Sequence, residues 1–464
     1  MKIKFITYII LLICVLTNLN AQNIFIKVEG ENLKNQNVRL SCIDDRISLL
    51  EQTLYSANLD EVTTSTKINI SLSEKKEVAL KVGLREYHFL AVPGNTYTIN
   101  ILPFDTNDVS FAYKEILPIK FGMQKDDNIN LPLEYIDSTY DSFLTENFRN
   151  LYLKDSLSIE NLNKLEKDLL LKYTTNDYAT NYIKYEFASL RYALTIGNRK
   201  KLISKMFQSS PVLYDNIGYM DCFSSVFSHY FSQGYKFIST ADLEKWLDAN
   251  NYSALNDALG RDEVLQNEIV RELVFLQGMK DAFWDGTFNS DRILKMLEKF
   301  VNTTKFPQHK QIAGNLIQYL RNKDFKGKKL PTLQVKDIDG EETNLEKFMD
   351  KTLLLCLVQL DRVACLKELE TVHYYYDSIK ENCNVVVVCF DNSFEKMYNF
   401  VKNSKVGNKY KFPFLYFNNN WQIVEELNLH FFPTFVLINK DGTIKRNPFD
   451  SPSSGSLIQF TNKK

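Results

Sequence analysis

The chain has 464 residues, 44% of them hydrophobic, and carries 56 Lys and Arg against 57 Asp and Glu. That length holds several domains of roughly 100–200 residues each, and the balanced charge excludes the basic surface of a nucleic-acid binder and the acidic tail of a solvating segment. Many aromatics, 25 Tyr and 32 Phe, beside only 16 Gly and 11 Pro, exclude a low-complexity chain and favour packed helices.

The N-terminus reads as a processing signal. Lys2 and Lys4 precede an apolar stretch from Phe5 to Leu16, then polar Thr17, Asn18 and Asn20, ending at Ala21-Gln22. The stretch is shorter than the roughly 20 residues a spanning helix needs, so residues 1–21 are predicted to be a cleavable signal peptide. The remainder is expected in an exported compartment, the periplasm or cell envelope of a bacterium. No later segment is apolar enough for a membrane span. Six Cys follow the signal, at 42, 222, 356, 365, 383 and 389. They are too few for a disulfide scaffold in so long a chain, although an oxidising compartment permits pairs.

Residues 22–115 read as a β-rich domain. Ile24, Ile26 and Val28 alternate with Phe25 and Lys27, and Ile68, Ile70 and Leu72 with polar neighbours. Val78, Leu80 and Val82 repeat the pattern, and a Pro93-Gly94-Asn95 turn separates His88–Val92 from Tyr97, Ile99 and Ile101. Short alternating strands with turn signals predict a small antiparallel sandwich. Residues 116–321 read as an α-helical region. Leu162, Leu165, Leu169 and Tyr173 share a face, as do Tyr182, Tyr185 and Tyr192, and Ile293, Leu297 and Phe300. Ser239-Thr240-Ala241-Asp242 has the form of a capped helix start. The aromatic stripes are expected to pack helix on helix. A polar linker, NKDFKGKK at 322–329, then opens a different pattern.

From 322 to 464 strands alternate with helices, which predicts an α/β domain. Lys351–Val358 and Asn384–Phe390 are apolar runs suited to buried central strands, and Phe412–Phe417 is a third. A helix with Leu366, Leu369, Val372, Tyr376 and Ile379 on one stripe begins near Cys365, and another carries Phe394, Met397 and Val401. Gly327, Pro331, Leu333, Val335, Asp337, Gly340, Leu345 and Phe348 form an entry hairpin, and Phe432-Pro433-Thr434-Phe435-Val436-Leu437-Ile438 is followed by Asp441-Gly442. These phrases resemble the thioredoxin-like family of exported thiol-disulfide reductases and cytochrome-maturation proteins. More weakly, Tyr87–Ile101 resembles the end of a β-rich domain of unknown function that precedes such domains. The fold class expected is therefore multidomain: a β-sandwich-like domain, an α-helical middle and a C-terminal thioredoxin-like α/β domain.

The resemblance places the active-site motif at Asp361-Arg362-Val363-Ala364-Cys365, where the family reads Trp-Cys-x-x-Cys. The attacking thiol is replaced by Arg362, and only the resolving position, Cys365, is kept. The resemblance implies a cis-proline groove at Phe432, Pro433 and Thr434, and no cofactor or metal is expected from the residues. Cys365 is the one candidate catalytic residue. A helix start and Arg362 favour its thiolate, whereas Asp361 opposes it. Two readings follow: a non-dithiol binding or scaffold protein that takes an extended peptide or envelope protein at the Pro433 groove, or an oxidoreductase using Cys365 alone or with another Cys such as Cys389. No two His have zinc-ligand spacing, and no phosphate loop is present.

Overall fold

Period-two burial shapes the first strands, as alternation dictates for a sheet with one covered face. In β1 (Gln22–Glu29) Ile24, Ile26 and Val28 are buried and the residues between them face out. The structure is a computed structural model that describes residues 22–104, 116–122, 128–231, 238–284, 288–391, 393–429 and 431–461. The expected signal segment and His430 lie outside the described residues. β2 (Asn37–Ile43), β3 (Glu51–Asn58), β4 (Ser65–Leu72), β5 (Lys76–Val82), β6 (Arg85–Ala91), β7 (Thr96–Ile101) and β8 (Ile119–Phe121) follow. They form two four-stranded sheets, ordered β4-β1-β7-β8 and β3-β2-β5-β6. Phe89 of β6 joins the sheets, its ring 5.4 Å from Tyr97 of β7 and 5.9 Å from Phe121 of β8. The Tyr97 hydroxyl accepts from Val92 N and donates to Leu90 O, which ties the Pro93-Gly94-Asn95 turn to the core.

Two details depart from the sequence pattern. The sandwich is not wholly antiparallel, because β1 and β7 run parallel, with Phe25 opposite Thr96. β1 lies inside its sheet, and the chain returns to it through β5 and β6 of the other sheet, so β7 arrives in the direction of β1. β5 is also buried on both faces, Glu77 and Lys81 included. Each of these charges has a partner: Glu77 is 2.9 Å from His88 Nδ1, and Lys81 is 3.2 Å from Glu86.

His88 lies between two carboxylates, with Nε2 3.3 Å from Glu86. Burial works against the charged ring, but hydrogen bonds to Glu77 and Glu86 outweigh it and raise its pKa to about 9. The hydrogen bond from His88 in turn draws Glu86 down to about 2. Charged His88 therefore stabilises the fold fully below its unfolded pKa of about 6.5, and that stability is lost as pH rises through about 9. Glu86 contributes above about 4.5 and loses its contribution as pH falls towards 2. The melting temperature should fall between pH 6.5 and 9, and calorimetry of His88→Gln should show that this increment of the slope has gone. An unchanged slope in the variant would refute the assignment.

The helical region comprises α1 (Asn130–Tyr152), α2 (Ser156–Lys172), α3 (Asp177–Ala193), α4 (Arg199–Ile203), α5 (Ile217–Phe227), α6 (Thr240–Asp248), α7 (Tyr252–Leu259), α8 (Glu268–Trp284), α9 (Ser290–Val301) and α10 (Pro307–Lys323). Ser239 caps α6 by accepting from Asp242 N, where the sequence placed a helix start. Asparagines do the same elsewhere: Asn176, Asn198, Asn216, Asn251 and Asn289 accept first-turn N–H groups of α3, α4, α5, α7 and α9. Each cap satisfies a donor the helix cannot, worth about 1 kcal/mol. The aromatic stripes pack helix on helix. Tyr185 lies 4.6 Å from Tyr219, and Phe207 meets Tyr219, Phe223 and Phe227, all buried. Gly218 permits this closeness, since a Cβ there would sit 2.9 Å from Tyr182 O. Fully buried His309 has a structural role, its ring held by Glu272 at 2.7 Å and Tyr214 at 2.8 Å.

The C-terminal domain opens with the short hairpin β9 (Val335–Lys336) and β10 (Glu342–Thr343), turned by Gly340 at φ +85°. Then come β11 (Thr352–Val358), α11 (Val363–Ile379), β12 (Cys383–Cys389), α12 (Phe394–Asn403), β13 (Phe414–Tyr416), α13 (Gln422–Glu426), β14 (Thr434–Ile438) and β15 (Ile444–Arg446). The sheet order is β10-β9-β13-β12-β11-β14-β15, parallel at β13-β12-β11 and antiparallel at β14. Leu353 to Val358 have no exposure, which is why this strand reads as an unbroken apolar run. Each buried leucine contributes about 1.5–3 kcal/mol before chain entropy is counted.

By contacts the chain divides into two units. One gathers the described residues within 1–41, 53–124 and 323–464, so the β-rich strands and the C-terminal domain belong together. The other holds those within 42–52 and 125–322. Among the described residues no helix is long and apolar enough to cross a membrane. Among the same residues no group of three or more His, Cys, Asp and Glu is placed to hold a metal ion.

Candidate functional site at the start of the Arg362 helix

The central strands end together. Val358 of β11 is opposite Cys389 of β12 on one side, and Leu357 is opposite Thr434 of β14 on the other. Segments nearly seventy residues apart, the loop before α11 and the Phe432-Pro433-Thr434 turn, thus emerge at one sheet edge. The Phe432–Pro433 peptide bond is cis. Phe432 is buried with its ring 4.9 Å from Phe390, and Thr434 Oγ1 donates to Phe431 O at 2.6 Å.

The loop is fixed by Asp391, a residue the sequence reading passed over. Its side chain has no exposure, and both oxygens accept from Leu360 N, at 3.1 and 3.2 Å. Lys396 of α12 bridges it, 2.9 Å from Asp391 and 2.8 Å from Asp361. Burial pushes the Asp391 carboxyl above the usual range, and the charge of Lys396 opposes that. Burial likewise works against charged Lys396, but the two aspartates outweigh it and raise its pKa. Gln359 completes the loop, donating to Phe390 O at 3.2 Å and accepting from Arg362 Nε at 2.5 Å. The signal available in the sequence was a lone acid ending an apolar strand.

Arg362 is the N-cap of α11, in extended backbone, and its carbonyl takes the first helical bond from Leu366 N. Val363 is exposed and Ala364 half-buried in the first turn. Cys365, on the inner side of that turn, has no exposure. Burial pushes its thiol up to about 12, against a backbone hydrogen bond from Gln359 and the charge of Arg362. The favourable influences named from sequence are present, and desolvation overrides them. Cys389 is fully buried as well, its thiol raised well above the ordinary value by burial, then by Asp391 and Cys365. Cys356, Cys365, Cys383 and Cys389 are all free thiols. Cys356 faces Val387, two steps along from Cys389.

Residues 350–444 match a family model described as thioredoxin-like. The C-terminal domain is thioredoxin-like. Similar solved structures include a putative thiol-disulfide oxidoreductase from Bacteroides vulgatus, 20% identical, covering 29% of this chain and 94% of that one, with a TM-score of 0.26. The thioredoxin domain of another Bacteroides vulgatus thiol-disulfide oxidoreductase is 18% identical, covering 30% of this chain and 98% of that one, with a TM-score of 0.27. A thioredoxin-like protein from Bacteroides caccae is 16% identical, covering 52% of this chain and 93% of that one, with a TM-score of 0.32. No curated protein matches the chain. In this thioredoxin-like domain the strand-to-helix junction is held by Asp391, Lys396 and Gln359, and the side chain at its helix cap is that of an arginine.

Proposed function

We propose that the chain is an exported, thioredoxin-like cell-envelope protein that has lost the attacking thiol of its family and works by binding, without dithiol exchange. The observation that carries this reading is the complete burial of Cys365, whose thiol is raised to about 12 behind Arg362. A thiol in that state supplies almost no thiolate at neutral pH and offers no approach to a disulfide. The surface left for a partner lies beside half-buried Pro433 and exposed Phe431, at the edge where the loop before α11 emerges. The partner this reading assigns to that edge is an extended peptide or a segment of an envelope protein. Export is supported by the basic, apolar and polar succession of residues 1–21.

The test is thiol labelling of protein recovered from the periplasm, its N-terminus read by mass. The expected chain begins at Gln22, and Cys365 reacts with an aromatic disulfide reagent at pH 8 only after denaturant is added. Rapid, pH-dependent labelling of native Cys365 would instead support the oxidoreductase reading, through Cys365 alone or with Cys389.

A further inference from the structure

The loop before α11 also borders the β-rich strands, within one of the two contact units. Gln359, Arg362 and Trp421 of the C-terminal domain line a cavity of about 240 Å³ together with Asn35, Gln36 and Leu84 of the β-rich domain. Trp421, 7% exposed, anchors one to the other, its Nε1 donating to Asn35 O at 3.3 Å. Gly83 turns the β5–β6 hairpin at φ +60°, and a Cβ there would lie 3.2 Å from the Trp421 ring. Leu84, next in the chain, packs against the apolar core of the C-terminal domain.

Both sides of this junction are held in place. Leu33 is fully buried, Asn35 N donates to Asp60 O at 3.0 Å, and Gly83 N donates to Asn37 O at 2.9 Å. Loop segments tied down in this way open less readily than solvated ones. On the other side Trp421 begins an aromatic row. Its ring lies 5.2 Å from Phe417, which lies 4.7 Å from Phe390, which lies 4.9 Å from Phe432. Phe390 O also accepts from Gln359. The row that seats Trp421 therefore also holds the loop before Arg362 and the residue before Pro433.

We propose that the β-rich domain, docked on Trp421, walls the Arg362 helix start, so that a small reactant reaches position 362 and the surface of a folded protein does not. The space between the two parts suits a small molecule, whereas a standard protein interface needs about 800 Å² on each side. The shielding follows from domain packing and holds whether the edge binds a partner or exchanges disulfides.

The reporter is Arg362→Cys in the full chain, combined with Cys365→Ala to prevent pairing. Tyr374→Cys, at a position 80% exposed on the same helix, is the reference. Each is labelled with N-ethylmaleimide and with ubiquitin bearing a single maleimide, and the labelled site is read by mass. N-ethylmaleimide should modify both positions within about tenfold of one another, and the ubiquitin reagent should be slower at 362 than at 374 by about a hundredfold. Trp421→Ala, which removes the anchor, and Gly83→Val, which strains the turn from the β-rich side, should each restore ubiquitin labelling at 362. Cys389 should stay unlabelled throughout, which separates an opened junction from an unfolded domain. Equal ubiquitin labelling at 362 and 374 in the otherwise unaltered chain overturns the proposal. So does protection at 362 that persists in both junction variants, since the C-terminal domain would then shield itself. A failure of N-ethylmaleimide to reach 362 would overturn the size selection.

Discussion

Replacing Asp391 with alanine should destabilise the protein by about 3 kcal/mol, read as a lower urea midpoint at an unchanged slope. The carboxylate is buried and accepts from Leu360 N with both oxygens, so its removal leaves a buried N–H without that acceptor. Lys396 keeps Asp361 but loses its nearer-buried partner. Breaking a buried pair by deleting one member costs about 3–5 kcal/mol. The lower end applies because Lys396 reaches solvent. Asp391→Asn keeps an acceptor for Leu360 N while losing the charge, and should fall between wild type and alanine. A loss under about 0.5 kcal/mol for alanine, the range of a surface substitution, would show that the loop is held by Gln359 and the strand ends alone.

The α/β domain was legible because its two central strands are buried on both faces and so appear as apolar runs, Leu353–Val358 and Val385–Cys389. The place of Arg362 and Cys365 at a strand-to-helix junction was legible through the family resemblance, which sets the motif there. Asp391 was not. It is an ordinary charged residue in its own neighbourhood, and its meaning arises only when the fold brings it to Leu360 and Lys396. The parallel pairing of β1 with β7 was hidden for a related reason, since alternation fixes which face of a strand is buried and says nothing of its neighbour. The buried charges of β5 mislead in the other direction, because Glu77 and Lys81 read as solvent-facing until Glu86 is seen opposite Lys81 and His88, opposite Ala79, is seen diagonal to Glu77. The asparagine caps were readable one by one, but Asn is common enough in this chain that only Ser239 stood out.

On the proposed binding reading, Arg362→Cys should give the C-terminal domain a disulfide reductase activity that the wild type lacks. The position is the N-cap of α11, where the helix dipole and first-turn N–H groups favour a thiolate, and two residues separate it from Cys365. With a thiol of pKa near 12, Cys365 in wild type is ionised at pH 7 to about one part in 10⁵. A cap thiol of pKa about 7 is half ionised. Lower basicity makes it a weaker nucleophile, with a Brønsted slope of about 0.4–0.5, so the gain of about five powers of ten in thiolate shrinks to several hundredfold in rate. The half-buried cap adds access that Cys365 lacks. Disulfide reduction by the variant should therefore exceed wild type by about two to three powers of ten, with Arg362→Ser remaining at the wild-type level. Combining Arg362→Cys with Cys365→Ser should arrest the reaction as a mixed disulfide visible by mass, because the resolving sulfur is gone. If wild type matches Arg362→Cys, the domain already exchanges disulfides by another route, and its lost-nucleophile reading fails. If Arg362→Cys is inactive but labels readily, the thiol is exposed while Cys365, buried at the inner side of α11, cannot turn to meet it.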